Sequence, residues 1–250
     1  MQIRDGFSAH NTETCACFSC SPPTAVSRRG FLRVGAVASA AGLLAGAGLA
    51  LPRAARAQSA LGPDKALAQL MEGNARFLSG NLRSCGEDLK ALKQQTAPKQ
   101  EPFASVLSCA DSRVPAELVF DDTIGRIFVN RVAGNIATAE IMASMEYGVA
   151  VLGTEVIMVM GHSSCGAVEA AIAGKAVPGQ ISSLYRYIRP AIDQAGAGAD
   201  ANAVVRANAQ VQARLLRESS PVFADFIKQG KLKIVAGFYD IASGKVTLLD

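Results

Sequence analysis

The sequence predicts an α/β fold built on a largely parallel sheet with helices on both faces. Short apolar runs of the length of buried strands alternate with longer helical segments through the middle of the chain. These runs are apolar at almost every position, as expected of strands that are covered on both faces. Polar residues follow directly where three of the runs end, which is where sheets of this kind form their sites. Half of the 250 residues are hydrophobic, enough for one substantial core.

Residues 1–57 are predicted to be a cleaved twin-arginine signal peptide, and residues 58–250 the folded domain. The pattern SRRGFL at residues 27–32 is typical of this export route, and a run of small and apolar residues follows at 34–51. Ala55-Arg56-Ala57 is a small-residue cleavage site. An uncleaved membrane anchor is the alternative, since the run is about long enough to span a bilayer. The mature protein is expected to be periplasmic, or otherwise exported by this route.

The leader also accounts for the basic charge of the chain. It holds six of the 25 basic residues and two of the 21 acidic ones, so 19 of each sign remain in the domain. A domain without net charge gives no reason to expect a nucleic-acid partner, or contact with a membrane beyond the export signal. Three cysteines, Cys15, Cys17 and Cys20, leave with the leader, and Cys85 has no assigned role.

The elements of the domain can be placed in order. An N-terminal helical arm begins at Pro63 and ends at Gly80, and a second short helix covers 87–95. Strands are predicted at 103–107, 126–130, 156–160 and 232–238, with an edge hairpin strand at 245–249 after Ser243-Gly244. Helices are predicted between and after them, at 138–152, 167–173, 182–194 and 203–219.

Two of the strands end in residues that suit a metal. Cys109, Asp111 and Arg113 follow the first strand, where Cys109 could be a nucleophile, a metal ligand or a core thiol, and the other two could form a bidentate pair. His162 and Cys165 follow the strand at 156–160 and stand three residues apart at a strand-to-helix turn. One imidazole and two thiolates are a ligand set of catalytic zinc with a fourth position open. The sequence therefore predicts one zinc ion per subunit.

Four motifs together resemble the β-class carbonic anhydrases. They are CADSRVP at 109–115, FVNRVAGN at 128–135, SMEY at 144–147 and GHSSCG at 161–166. The resemblance covers residues 64–250 and implies a zinc lyase that interconverts carbon dioxide and bicarbonate. It also implies about four parallel strands plus an antiparallel edge strand. The protein would be a homodimer or a dimer of dimers, in which the N-terminal helices embrace the partner.

The resemblance also implies roles for single residues. Cys109, His162 and Cys165 match the zinc ligands, while Asp111 and Arg113 match a catalytic pair that orients zinc-bound hydroxide. In a closed state, Asp111 would leave the arginine and become the fourth ligand. Substrate-binding positions of the plant-like branch fall on five residues: Gln100, Phe128, Ala133, Tyr147 and Gly166. Val106 stands where the bicarbonate-inhibited branch has tryptophan, so that inhibitory site is not expected here.

Three other functions fit parts of this pattern. A zinc hydrolase of carbon disulfide or carbonyl sulfide could use the same ligands and differ only in the shape of its pocket. A structural zinc protein would not need the pairing of Asp111 with Arg113. A cysteine-based redox protein would keep its activity without zinc, but neither Cys109 nor Cys165 stands in a C-x-x-C pair.

Overall fold

A computed structural model describes residues 61–249 and shows the predicted α/β architecture. One five-stranded sheet has the order β2-β1-β3-β4-β5. The first four strands in chain order run parallel to one another, and β5 runs antiparallel at the edge beside β4. Both the mostly parallel sheet and the antiparallel edge strand are thus confirmed. The strands are β1 Ala104–Ser108, β2 Ile127–Arg131, β3 Val156–His162, β4 Lys233–Tyr239 and β5 Val246–Leu249.

Eight α-helices accompany the sheet in the described residues. They are α1 Pro63–Ser79, α2 Leu89–Thr96, α3 Ala116–Val119, α4 Ala139–Ala150, α5 Gly166–Ala173, α6 Tyr185–Ala195, α7 Ala201–Ser219 and α8 Pro221–Lys228. The predicted N-cap Thr138 accepts a hydrogen bond from the Ile141 amide at the start of α4. No helix in the part of the chain that the structure describes has both the length and the apolar character needed to cross a membrane.

Two helices were not predicted from the sequence. The α3 helix has only four residues, too short to show a periodic pattern. The α8 helix follows α7 without a loop, because Ser220 ends the first helix and caps the second with its side chain, which accepts a hydrogen bond from the Phe223 amide. The predicted helix at 182–194 also differs from α6, since residues 181–184 form a 3₁₀ turn before it.

The sheet buries both of its faces, and the central strand β3 shows how. Its alternate residues Val156, Met158 and Met160 pack against α1 and α3 on one face. Ile157 and Val159 point the other way, into a core shared with α4, α7 and α8. Successive side chains of a strand face opposite sides, so a strand covered on both sides must be apolar throughout. This explains the unbroken apolar run in the sequence.

The strand order brings the ends of β1 and β3 together. The chain passes from β1 to β2 on one side, and then crosses to β3 on the other side of β1. Such a reversal opens a crevice at the carboxyl ends of the two central strands, where α/β sheets bind ligands. Ser108 at the end of β1 pairs in register with Met160, so the next residues of both strands reach the same crevice.

Candidate metal centre and active site

The structure brings the three predicted metal ligands to one point. Cys109 is the residue after β1, His162 is the last residue of β3, and Cys165 is the N-cap of α5. Their ligand atoms all lie within 4.8 Å of one another, and all three side chains are buried. Residues 53 positions apart in the sequence thus meet because parallel strands end at the same edge of the sheet.

One ring nitrogen of His162 is engaged in a hydrogen bond, and the other is left available to bind a metal. Nδ1 lies 2.9 Å from the carbonyl oxygen of Ser163. A carbonyl can only accept, so Nδ1 carries the proton and Nε2 keeps its lone pair. Nε2 is buried and has no hydrogen-bond partner among the described residues. A buried lone pair without a donor, on a residue whose ligand atom lies within 4.8 Å of two sulfurs, fits a zinc ion by its position and by its chemistry.

The pKa values of the two buried thiols are shifted in opposite directions by the hydrogen bond between them. This bond from Cys165 lowers the pKa of the Cys109 thiol; burial opposes the shift, and the Gly134 amide adds to it. The same hydrogen bond and burial raise the pKa of Cys165. A cation that binds both sulfurs would displace the remaining proton, because thiols bind metals as thiolates.

Asp111 and Arg113 form a bidentate pair at the mouth of the centre. Arg113 donates from Nε to Oδ1 over 2.9 Å and from Nη2 to Oδ2 over 2.7 Å, and its backbone amide also donates to Oδ1. These bonds hold the pKa of Asp111 well below its usual range. Oδ2 lies 4.0 Å from His162 Nε2, so an ionised carboxylate borders the ligand cluster.

Sequence reasoning missed Arg131, which supports this arrangement from the end of β2. Its Nε donates to the carbonyl oxygen of Cys109 over 2.9 Å, and its Nη2 donates to the carbonyl oxygen of Asp111. Arg131 therefore fixes the backbone of the loop that carries a ligand and the carboxylate. The signal that could have found it is its position, since a cation at the end of a strand beside β1 lies next to the same crevice.

The predicted substrate-binding residues fall into two groups. Ala133 precedes Gly134, whose amide donates to Cys109 Sγ, and Gly166 follows Cys165 at the start of α5. Phe128 and Tyr147 instead lie beside each other, with ring centroids 6.3 Å apart.

The second group lies away from the ligands within one chain. Phe128 stands three residues before the end of β2, about 10 Å along the strand, and the side chain of Tyr147 is 48% exposed. Gln100 is exposed in the loop before β1 and makes no hydrogen bond to the ligands within the described chain.

Known proteins are similar to this chain in sequence and in fold. A model of the carbonic anhydrase family matches residues 104–246. Carbonic anhydrase 2 of Mycobacterium tuberculosis is 31% identical over 194 residues, which cover 75% of this chain and 93% of that protein. A carbonic anhydrase of Pseudomonas aeruginosa is 35% identical over 196 residues, covering 72% of this chain and 86% of that protein.

A solved structure identifies the class within the carbonic anhydrase family. The β-carbonic anhydrase of Coccomyxa, in complex with acetazolamide, superposes with a TM-score of 0.59 at 26% identity, covering 73% of this chain and 86% of that one. Its fold and the match to the family model agree with the cluster of two cysteines and a histidine in the crevice. On this evidence the chain belongs to the β class of the carbonic anhydrase family.

Proposed function

We propose that this protein catalyses the reversible hydration of carbon dioxide to bicarbonate with a zinc ion held by Cys109, His162 and Cys165. The observation that carries the proposal is the buried cluster of three ligand atoms within 4.8 Å of one another. In a buried place, such a donor set without a cation would leave thiolate charge and a lone pair uncompensated. Family membership supports the reaction.

The residues around the ligands have distinct tasks in this reaction. A zinc ion bound there would lower the pKa of a water molecule far below that of bulk water and so make hydroxide available. Two thiolate ligands would keep this pKa above the value of about 7 that three histidine ligands give. Asp111 stays ionised beside Arg113, so it would act only as a hydrogen-bond acceptor beside the ligands. In that role it would orient the nucleophile that the metal supplies. Arg113 holds the carboxylate at its place through two side-chain hydrogen bonds.

We further propose that substrate binds as in the plant-like branch of the class. The Gly166 amide would hold a bicarbonate oxygen, and the small side chain of Ala133 would leave room beside Cys109. The pairing of Asp111 with Arg113 is the arrangement that the resemblance gives for an open state, in which Asp111 would not be a metal ligand. Val106 is fully buried in β1, and the absence of tryptophan at that position favours an enzyme without the bicarbonate-inhibited site.

The aromatic pair and Gln100 suggest that a second copy completes the pocket. Phe128, Tyr147 and Gln100 are half-buried or exposed on one chain, although the resemblance gives them a role in binding substrate. We propose a homodimer, or a dimer of two such dimers, in which these residues line an apolar pocket for carbon dioxide. None of the residues of α2 is buried in one chain, as expected of an arm that packs on a partner.

The test of the proposed function is stopped-flow carbon dioxide hydration with and without a zinc chelator. We expect rapid hydration, loss of activity when zinc is removed, and recovery when zinc is added back. The control is the double variant Cys109→Ser, Cys165→Ser, which should hold no zinc and show no activity. A zinc-loaded protein that does not hydrate carbon dioxide would contradict the proposal.

We also propose that residues 1–57, which lie outside the described residues, direct export by the twin-arginine route. The resulting enzyme would act in the periplasm. Replacing Arg28 and Arg29 with lysine should keep the protein in the cytoplasm, and N-terminal sequencing of the exported form should begin near residue 58. Export that is unchanged by this replacement would contradict the proposal.

A further inference from the structure

A turn after β2 donates a hydrogen bond to one of the metal ligands. The Gly134 amide nitrogen lies 3.3 Å from Cys109 Sγ. Gly134 has φ +76°, a left-handed backbone that favours glycine, and a Cβ there would lie 3.0 Å from the end of the Ile188 side chain. The neighbouring Asn135 also has a positive φ, of 44°. The direction of this amide therefore depends on an unusual local backbone that other contacts must maintain.

The α7 helix supplies those contacts through two buried amides. Asn208 donates from Nδ2 to the carbonyl oxygen of Gly134 over 2.8 Å, and accepts at Oδ1 from Gln212 Nε2 over 3.1 Å. Gln212 Oε1 accepts from the Ala137 amide over 3.0 Å, and Nε2 also donates to the carbonyl of Tyr187 in α6. Asn208 and Gln212 are one helical turn apart, so they present a single polar face to the turn.

Both amides lie in an apolar surrounding. Asn208 is fully buried and Gln212 is 1% exposed. Their neighbours on the same helix, Val204, Val205, Ala209 and Ala213, belong to the apolar core. Burying two amides among such residues costs free energy unless their hydrogen bonds are made. Here the bond of Asn208 ends on the turn whose amide donates to a metal ligand, and Gln212 joins Asn208 to Ala137 just after that turn and to Tyr187 in α6.

We propose that Asn208 and Gln212 are positioning residues that aim the Gly134 amide at the Cys109 sulfur and so adjust how much charge this sulfur gives to the metal. The inference rests on the proposed zinc site. An N–H donor to a thiolate withdraws charge from it, and partners beyond the ligands control the affinity and electronic properties of metal centres. Two thiolates donate much charge, and this hydrogen bond offsets part of it.

The test uses the protein with cobalt(II) in place of zinc, since sulfur-to-cobalt absorption in the near ultraviolet reports the charge on the sulfur. In Asn208→Ala we expect this band to move to longer wavelength, because the amide of Gly134 is no longer held against Cys109. We also expect zinc affinity, measured by competition with a chelator, to fall by about 10–100-fold, because the thiolate loses a stabilising donor and Cys109 is held less firmly in place. Gln212→Ala should change both in the same direction by a smaller amount.

The matched control is Asn202→Ala on the same helix, where the side chain is exposed. It should change neither the band nor the affinity. Unchanged spectra and zinc affinity in a folded Asn208→Ala protein would overturn the inference while leaving the proposed function intact. If Asn208→Ala does not fold, the test uses Asn208→Leu, which keeps the size of the side chain and removes its donor. The same two measurements on this variant, the cobalt band and the zinc affinity, then test the inference. A parent protein that binds no cobalt would overturn the proposed function and this inference with it.

Discussion

Replacing Arg113 should leave the Asp111 carboxylate in place but no longer correctly oriented for catalysis. Without the guanidinium, Asp111 keeps only the backbone amide of residue 113 as a donor among the contacts described, so its direction is no longer fixed. We expect Arg113→Ala to lower kcat/KM for hydration by at least about 100-fold, the size of loss that follows when a positioning group is misplaced by about an ångström. Stopped-flow hydration at saturating zinc measures this.

The pH dependence distinguishes misplacement from protonation. The pKa of Asp111 is lowered by Arg113, so it should rise toward its ordinary value near 4 in Arg113→Ala. The carboxylate still stays ionised at neutral pH, and the loss of activity should therefore be the same across pH 7–9. Arg189→Ala, which removes an exposed arginine paired with Asp193, is the control. Recovery of activity at higher pH would contradict this explanation.

Asp121 is a second residue whose contacts carry a prediction, and these contacts concern the stability of the fold and not catalysis. Its carboxylate accepts from the Arg76 side chain, from the backbone amides of Arg83 and Ser84, and from the Ser84 hydroxyl. Burial alone would raise the pKa of Asp121, but these bonds outweigh it and hold the value at about 2. One side chain thus ties the segment after α1 to the end of α3.

This pKa predicts how stability depends on pH. The folded value lies below the unfolded one, so the stabilisation is present above pH 4 and is lost as pH falls toward 2. Asp121→Asn should cost roughly 2 kcal/mol at pH 7, and the difference should shrink at pH 3. Urea unfolding at both pH values measures it. Asp193→Asn, in an exposed pair, should change little. An equal difference at both pH values would rule out the ionised carboxylate as the cause.

At the scale of elements, the docking of α1 depends on one glycine. A Cβ on Gly73 would lie 1.8 Å from the carbonyl oxygen of Phe120, just after α3. Glycine to alanine usually stabilises a helix by about 0.5–1 kcal/mol. Here the added methyl group must push α1 away from a backbone atom, and overpacking costs about 1–3 kcal/mol.

We therefore expect Gly73→Ala to lower the melting temperature, as followed by circular dichroism. Gly86→Ala is the control, because a Cβ at that glycine meets open space. Its melting temperature should stay within a degree or two of the parent's, on the order expected for surface changes. A melting temperature of Gly73→Ala at or above the parent value would show that α1 does not need this close approach.

For the whole molecule, the sequence alone was enough to predict the sheet and the three candidate metal ligands. Apolar runs at 103–107 and 156–160 identified the two central strands, because strands buried on both faces have few alternatives. Cys109, His162 and Cys165 stood out because zinc accepts a small set of ligands and parallel strands end at one edge. Both predictions rest on strong physical constraints, and both agree with the structure.

The rest depends on contacts between distant residues, which one sequence does not reveal. Asn208 and Gln212 lie on a helix that mixes apolar and polar residues, as most helices do. Their spacing does not reveal that Asn208 contacts a turn 74 residues away in the sequence. Arg131 looks like an ordinary residue at a strand end. The role of Phe128 and Tyr147 in binding substrate is proposed to need a second copy of the chain, so it remains a prediction.

The meeting of ligands from β1 and β3 has a consequence for folding as well as for catalysis. A divalent ion there would act as a reversible cross-link between neighbouring strands, since it binds the folded chain and finds no such grouping in the unfolded one. Mass action then raises stability with the concentration of free metal. Denaturation curves of this enzyme would consequently serve as a gauge of its metal content.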